Sequence, residues 1–287
     1  MIWIAFALLT AFCESLKDVF SKKGRASIDE YIIAWSLRFF ALPFLLPILF
    51  FIKIPSLGQR FWIALFIGGG LNAICTILYM KAIKQSALSL TVPLVAFTPL
   101  FLLLTSPFMI GEFPDLSGLG GIFLIVLGSY VLNFSVAQRG YFAPFRALFA
   151  ESGPCLMLLV AFLWSISANC DKIGIRNSSP LFWSIAATTF MSLVLAPIML
   201  YKSPRAIKQI PNILTTLVPI GFLCALTVIF QMLAVSLTLV AHVIAIKRTS
   251  TLMSVLWGFL IFKEQRFKER LLGASIMIVG VLLISAF

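Results

Sequence analysis

Two adjacent basic residues, Lys247 and Arg248, interrupt an apolar stretch long enough to cross a membrane. A charged side chain at the centre of such a helix costs about 2.5 to 3.5 kcal/mol on insertion scales, so it persists where it is paired, hydrated or functional. Neighbouring helical residues point about 100° apart, so one carboxylate is poorly placed to serve both. The pair predicts a clamp for a phosphate or carboxylate group. The structural alternative, neutralisation by acidic residues of the first helix, stays open.

Those acidic residues lie in the first apolar stretch, where Glu14, Lys17 and Asp18 occupy positions i, i+3 and i+4 and share one helix face. Glu14 and Lys17 are expected to neutralise each other, which leaves Asp18 for Arg38 or for a ligand. A desolvated carboxylate on this face is also a candidate to carry a proton as the coupling ion of a transporter. Purely structural ion pairing is the competing interpretation.

Other polar and aromatic residues at similar depth are candidates to line a binding cavity. Arg38 is a third cation, whose structural alternative is a salt bridge to the first helix. The remaining candidates are Tyr79, Trp164, Gln231 and His242. A lone aromatic ring in a membrane is more often lipid-facing than in contact with a ligand. A single histidine makes neither a catalytic triad nor a metal site, so the sequence predicts no catalytic residue, no metal and no cofactor.

The elements that position these residues are membrane-spanning helices. The chain is 61% hydrophobic with 28 Phe, which exceeds what a soluble core of this length uses. Stretches of roughly 20 residues can cross about 30 Å of hydrocarbon. Ten are present: 2–21, 30–52, 61–83, 88–110, 117–136, 154–173, 180–201, 212–234, 238–262 and 269–287. The predicted fold class is therefore an all-α integral membrane protein.

The ten stretches form two copies of one pattern. Offsets of 150 and 152 residues relate Ala11 to Ala161, Pro47 to Pro197, Glu112 to Glu264, Gly121 to Gly273 and Gly128 to Gly280. Because each copy has an odd number of helices, the second enters the membrane from the opposite face. We expect two inverted five-helix repeats, 1–137 and 154–287, joined by an interfacial linker at 138–153. Such symmetry supports alternating access to a site near the midplane.

The net charge of +12 does not indicate nucleic-acid binding, because the basic residues are spread over short loops. Membrane lipids and a small-molecule substrate are the expected partners. Most loop cations lie on one side of the predicted topology, and only Lys53, Arg60, Lys172 and Arg176 lie on the other. This asymmetry places both termini outside the cytoplasm. Glycine-rich faces on the fifth and tenth helices are expected to pack internally or to form a homodimer.

Several of these features resemble the drug/metabolite transporter superfamily, in its EamA-like branch. The resemblance rests on the two five-helix repeats, on Trp164 followed by Lys172, on the run from Tyr79 to Ala82, on Pro99, and on the repeated pairs Gly111-Glu112 and Lys263-Glu264. It implies a multi-pass transporter of the bacterial inner membrane with both termini cytoplasmic. The loop charges imply the reverse, so the sequence leaves the side of the termini open.

The same resemblance bears on the substrate. Lys247-Arg248 is similar to the dibasic phosphate-binding pair in the ninth helix of plastid phosphate-sugar translocators of that superfamily, whereas Glu14 stands where the first repeat often has Trp. We therefore expect a secondary transporter for a small anionic or zwitterionic metabolite, and no enzyme. The transporter alternative is a proton-coupled exporter of amino acids or drug-like cations. Ion channels and intramembrane enzymes are alternatives of another class.

Overall fold

The computed structural model describes residues 2–24, 30–85, 92–134, 152–203, 210, 214–262 and 267–285. Regular structure in these ranges is helical throughout. The helices are α1 (Ile2–Gly24), α2 (Glu30–Phe39), α3 (Leu42–Leu45), α4 (Arg60–Gln85), α5 (Thr98–Ile110), α6 (Leu116–Phe134), α7 (Ser152–Arg176), α8 (Pro180–Lys202), α9 (Leu214–Leu237), α10 (Val240–Lys247), α11 (Ser250–Phe262) and α12 (Phe267–Ser285), with 3₁₀ segments Leu46–Phe50 and Val92–Phe97.

Each of the ten predicted stretches coincides with helical structure, which confirms the all-α class. Four helices of the described ranges are long and apolar enough to cross a membrane: Arg60–Tyr79, Ser152–Arg176, Pro180–Lys202 and Leu214–Leu237. Shorter apolar helical stretches occur at Ala34–Phe50, Leu94–Ile110, Leu116–Val131 and Leu272–Ile284. The predicted linker 138–153 lies outside the described residues, except for its last two, which begin α7.

Three of the ten stretches are broken rather than continuous. The second divides into α2, α3 and a 3₁₀ segment, with Pro43 and Pro47 in its second half. The fourth begins as a 3₁₀ segment and continues as α5, which has Pro99 in its first turn. Proline removes a backbone donor and clashes with the preceding turn, which accounts for both. The ninth stretch divides into α10 and α11 without any proline.

Glycines allow a close backbone contact between α6 and α12. A Cβ atom on Gly121 would lie 2.7 Å from the Gly280 carbonyl oxygen, and one on Gly128 would lie 2.6 Å from the Gly273 carbonyl oxygen. Since 121 meets 280 and 128 meets 273, the two helices run antiparallel. These glycine faces are therefore occupied within the chain, as small-residue faces of membrane helices commonly are.

Helix α7 is held by buried polar contacts to the helices of the first half. Asn169 Nδ2 donates to Thr105 Oγ1 at 3.0 Å, and Ser106 Oγ donates to Asn169 Oδ1 at 2.8 Å, which ties α7 to α5. Asn72 Nδ2 donates to Ser167 Oγ at 2.5 Å and ties α7 to α4. In a bilayer such groups have no water to bind, so paired contacts fix the relative rotation of the helices.

Candidate functional site

The break in the ninth stretch falls at Lys247 and Arg248. Helix α10 ends at Lys247, and the amides of Arg248 and Thr249 donate to the carbonyls of Ala245 and Ile246, three residues back. Thr249 Oγ1 also donates to the Ile246 carbonyl at 2.7 Å. This tight turn, closed by a hydroxyl group, interrupts the i to i−4 ladder and lets α11 restart at Ser250. The sequence suggested one continuous helix here, because it has no proline.

Arg248 reaches across to the fourth stretch. Its Nη2 donates to Thr98 Oγ1 at 2.9 Å, where the 3₁₀ segment gives way to α5. Thr98 in turn donates to the Val95 carbonyl at 2.8 Å. The Nε atom of Arg248 is buried and donates to no group within the described ranges. A buried guanidinium donor without a partner costs free energy, so this atom is a candidate to bind a ligand oxygen.

Lys247 contacts two other helices. Its Nζ donates to Gln231 Oε1 of α9 at 2.8 Å and lies 3.9 Å from Glu14 Oε2 of α1. Glu14 Oε1 accepts a hydrogen bond from Lys17 at 2.6 Å, as the sequence predicted. One carboxylate is thus shared by two ammonium groups, and Lys247 is 23% exposed. The contact is an ion pair of the kind that an incoming anion can replace.

Two further charged residues complete the central charged cluster, by which we mean Glu14, Lys17, Arg38, Asp171, Gln231, Lys247 and Arg248. Arg38 interacts electrostatically with Glu14, Asp171 and Lys247, and within the described ranges it makes no hydrogen bond or ion pair. Asp171 of α7 accepts a hydrogen bond from Trp183 Nε1 at 2.9 Å. Sequence reasoning missed Asp171, although a carboxylate near the end of an apolar stretch was a usable signal.

The aromatic candidates form a pair beside the cluster. The rings of Tyr79 and Trp164 are 5.8 Å apart, with an interplanar angle of 35°. Tyr79 also interacts electrostatically with Arg248. Trp164 and Asp171 are seven residues apart on α7, which places them on one face of that helix. The pair can therefore border the same space as the charges, with Tyr79 nearest Arg248.

His242 lies elsewhere. It is buried, stacks on Trp3 at 6.0 Å between ring centroids, and sits against Gly118 at the start of α6. The structure thus does not bring it to the central charged cluster. The Asp18 side chain lies outside the described part of the structure, so its predicted role stays a prediction.

A second charged group, the ion-paired end, consists of Glu112, Lys172 and Arg176. Glu112 Oε1 lies 2.7 Å from Arg176 Nη2 and 3.4 Å from Lys172 Nζ. Glu112 Oε2 accepts from the Val240 amide at 3.1 Å, at the first residue of α10. Lys172 was predicted as a loop residue, but α7 continues to Arg176 and buries it.

Nearby, Asp115 precedes α6 and caps it. Its carboxylate accepts hydrogen bonds from the Gly118 amide at 2.9 Å and from Ser117 Oγ at 2.8 Å. These donors hold the pKa of Asp115 below its usual value. Asp115 is exposed and makes no ion pair with the described residues, so it differs from Glu112 in the same loop.

Comparison with known proteins bears on the identity of this arrangement. A solved crystal structure, described only as that of a protein, matches the fold with a TM-score of 0.76 at 13% identity, over 99% of this chain and 96% of the other. Among curated proteins, no sequence matches. The EamA-like transporter family matches residues 1–134 and 151–286. The chain belongs to the EamA-like transporter family.

Membership confirms the resemblance seen in the sequence. With its apolar helices, this EamA-like protein is an integral membrane protein of the drug/metabolite transporter type. The two matched ranges contribute differently to the cluster. The first supplies Glu14, Lys17 and Arg38, and the second supplies Asp171, Gln231, Lys247 and Arg248.

Among the described side chains of the cluster, a group that leaves out Asp18, basic residues outnumber acidic ones. Its described side chains include four basic groups, Lys17, Arg38, Lys247 and Arg248, and two carboxylates, Glu14 and Asp171. Groups of like charge held together away from bulk water raise each other's energy. An anion placed among the described side chains would lower that energy.

Proposed function

We propose that this EamA-like protein is a secondary transporter that moves a small anionic or zwitterionic metabolite by alternating access, with its binding cavity at the break between α10 and α11. The observation that carries the proposal is the surplus of basic groups among the described side chains around Lys247 and Arg248. Arg248 Nε adds a buried donor with no acceptor in the described ranges. Lys247, Arg248 and Arg38 would bind the anionic group, and Glu14 would serve as counter-charge in its absence.

The broken helix supports the same location. Transporters commonly bind substrates where a membrane helix is discontinuous, because half-helix termini present partial charges there. The N-terminus of α11 begins at Ser250, two residues after Arg248. The helix terminus carries partial positive charge and favours an anion beside the dibasic pair, although the amides of Thr251 and Met253 already donate to the carbonyls of Arg248 and Thr249.

Inverted symmetry is the second part of the proposal. Gly121 and Gly273 are sequence mates, as are Gly128 and Gly280. In the structure Gly121 contacts Gly280, the mate of Gly128, and Gly128 contacts Gly273, the mate of Gly121. A two-fold axis between antiparallel α6 and α12 produces this exchange. Ala82 and Glu112, on either side of Thr98, have their sequence mates 152 residues further on, so the mate of Thr98 is Ser250. Thr98 accepts a hydrogen bond from Arg248, two residues before that mate. A residue that contacts the segment containing its own mate lies close to such an axis, which supports a site near the midplane.

A second candidate, proton-coupled export of amino acids or drug-like cations, is favoured by Glu14. This carboxylate is 22% exposed and contacts Lys17 and Lys247. An amine or cation that displaces the lysines would find a negative group there. The two candidates differ in the ligand charge that they require.

Thermal unfolding of the purified protein with a panel of ligands tests the proposal, since a ligand that binds only the folded state raises its melting temperature. We expect phosphorylated or carboxylated compounds to stabilise the protein. Lys247→Ala or Arg248→Ala should weaken their binding about 10- to 100-fold, the value of a charged hydrogen bond. Lys53→Ala, which removes an exposed loop cation, is the matched control and should bind normally.

Transport gives the decisive readout. The bound compound should exchange across proteoliposomes containing the wild type and the Lys53→Ala variant, and much less across those with Lys247→Ala. If only cations stabilise the protein, and Lys247→Ala transports them normally, the anion site is wrong and the second candidate replaces it.

A further inference from the structure

Asp171 is an intramembrane carboxylate that the proposed function leaves unused. Its Oδ1 accepts from the indole of Trp183, which is 1% exposed, and it forms no ion pair with any residue in the described ranges. Gly174 lets this tryptophan approach, because a Cβ atom there would overlap its ring. Asp171 is therefore held in place by a neutral donor, and its negative charge is compensated only from a distance.

The charges that act on Asp171 come from two helices. Arg38 of α2 and Lys247 of α10 both interact with it electrostatically, and Cys170 is the adjacent titratable group on α7 itself. The helices α4, α5 and α9 pack against α7, but their described residues add no charge to this environment. From α8 comes only the indole of Trp183. The state of Asp171 thus depends on whether Arg38 and Lys247 are free to compensate it.

Asp171 also lies between the central charged cluster and the ion-paired end. The next residue, Lys172, points to Glu112 at the ion-paired end. At about 1.5 Å per residue, Asp171 is about 8 Å along α7 from Arg176. One turn of α7 therefore carries a group facing the central charged cluster and a group facing the ion-paired end.

We propose that Asp171 is the proton-binding site of this transporter, and that it takes up one proton when an anion binds at Lys247 and Arg38. The inference rests on the proposed anion site. An anion there neutralises the two cations that compensate Asp171 and adds a negative charge nearby, so the carboxylate binds a proton more strongly. By linkage, protonation of Asp171 strengthens anion binding by the same factor.

The proton balance follows directly. One proton leaves water on the side to which the site is open and forms a carboxyl O–H at Asp171. It returns to water on the opposite side when the anion leaves. Anion and proton therefore move in the same direction, and a pH gradient drives accumulation of the anion on the alkaline side.

Sulfate is a suitable probe, because it keeps its double charge from mildly acidic to mildly alkaline pH. For the wild type we expect the Kd for sulfate to rise about tenfold per pH unit above the titration of Asp171, as one linked proton requires. The Asp171→Asn variant keeps an oxygen acceptor for Trp183 but cannot titrate. It should bind sulfate at all pH values with the affinity that the wild type has only in acid.

Calorimetry in two buffers of different ionisation enthalpy counts the protons directly. We expect about one proton taken up per sulfate in the wild type and none in Asp171→Asn. Asp171→Glu, which restores a titratable group, should regain the uptake. A structural role alone would lower the melting temperature of Asp171→Asn without removing the pH slope.

The outcomes separate this inference from the proposed function. No sulfate binding by the wild type at any pH contradicts the anion site itself. Sulfate binding that is independent of pH, or an unchanged pH slope in Asp171→Asn, overturns the proton site and leaves the anion site standing. A slope that Glu14→Gln removes and Asp171→Asn keeps assigns the proton to Glu14 and also overturns the inference.

Discussion

At the scale of single residues, Glu112 joins three elements of the molecule: the loop before α6, helix α7 and helix α10. Its carboxylate, 9% exposed, binds Arg176 and Lys172 of α7 and the first amide of α10. Lys172 in turn donates to the carbonyls of Val235 and Thr238 at the end of α9. The start of the helix that carries Lys247 is thereby fixed to α7, so the position of the dibasic pair depends on a carboxylate outside the proposed site.

A double-mutant cycle tests this dependence. Glu112→Gln leaves the buried Lys172 ammonium without its carboxylate, and Lys172→Met leaves Glu112 without its most buried partner. Breaking a buried pair costs about 3 to 5 kcal/mol, whereas removing both charges costs much less. We expect each single variant to melt clearly below the wild type, and the double variant to recover part of the loss.

The matched control for that cycle is Asp115→Asn, which removes a carboxylate from the same loop. Asp115 is exposed and binds only the Ser117 hydroxyl and the Gly118 amide, so its loss should change the melting temperature little. Strictly additive effects of Glu112→Gln and Lys172→Met would contradict the coupling.

There is a physical reason why the sequence revealed some of these residues and not others. Lys247 and Arg248 stand out because they interrupt an apolar run, and their cost is a property of the run itself. Asp171 and Glu112 lie near the ends of predicted stretches, where a charge costs less and is a weaker signal than a charge at the centre of a stretch. Their importance comes from partners between 12 and 128 residues away, Trp183 and Val240, and such long-range contacts have no signature in sequence spacing.

At the scale of elements, the contact between α6 and α12 depends on glycines, because a residue without a Cβ atom lets the two backbones approach closely. A Cβ atom on Gly128 would lie 2.6 Å from the Gly273 carbonyl oxygen and 2.7 Å from the Met277 amide nitrogen. Both are backbone atoms, so they cannot move aside without displacing the helix. The repeated glycines predicted close packing, and the fold shows that the faces of α6 and α12 contact each other.

Gly128→Ala is therefore expected to destabilise the protein, because overpacking of this kind costs about 1 to 3 kcal/mol. Gly70→Ala in α4 is the matched control, since a Cβ atom there meets nothing within 4 Å. Both changes bring the same gain in helix propensity, so their difference isolates the contact. We expect a lower melting temperature for Gly128→Ala and an equal or higher one for Gly70→Ala. Equal melting temperatures for the two variants would show that α6 and α12 can separate freely.

The sequence pattern predicts some of the breaks in the helices but not all of them. Those in the second and fourth stretches coincide with prolines, which the sequence displays. The break at Arg248 has no proline, and it depends on the Thr249 hydroxyl and on a hydrogen bond from Arg248 to another helix. Helix-breaking residues do not predict this break, because its cause is a tertiary contact.

At the scale of the whole molecule, the loop charges and the family expectation disagree about the orientation of the chain in the membrane. Of the four cations on the side of the termini, Lys172 and Arg176 are paired with Glu112. Only Lys53 and Arg60 remain there as cations without an ion pair in the described residues, and they flank the loop before α4. The positive-inside rule counts Lys and Arg residues and is little affected by acidic neighbours, so the asymmetry of the loop cations still favours termini outside the cytoplasm.

We accordingly expect both termini, and the loop that contains Ser56, to face away from the cytoplasm, against the family expectation. In a variant without its five native cysteines, Ser56→Cys should react with a membrane-impermeant maleimide on intact cells. Gln85→Cys, exposed at the opposite end of α4, is the matched control and should react only after the membrane is permeabilised. The reverse pattern would place the termini in the cytoplasm, and labelling of both positions on intact cells would mean that the chain inserts in two orientations.

The ion-paired end lies on the Ser56 side, because the Gly58 amide donates to the Asn177 carbonyl next to Arg176. The labelling therefore also tells on which side of the membrane Glu112 joins α7 to α10.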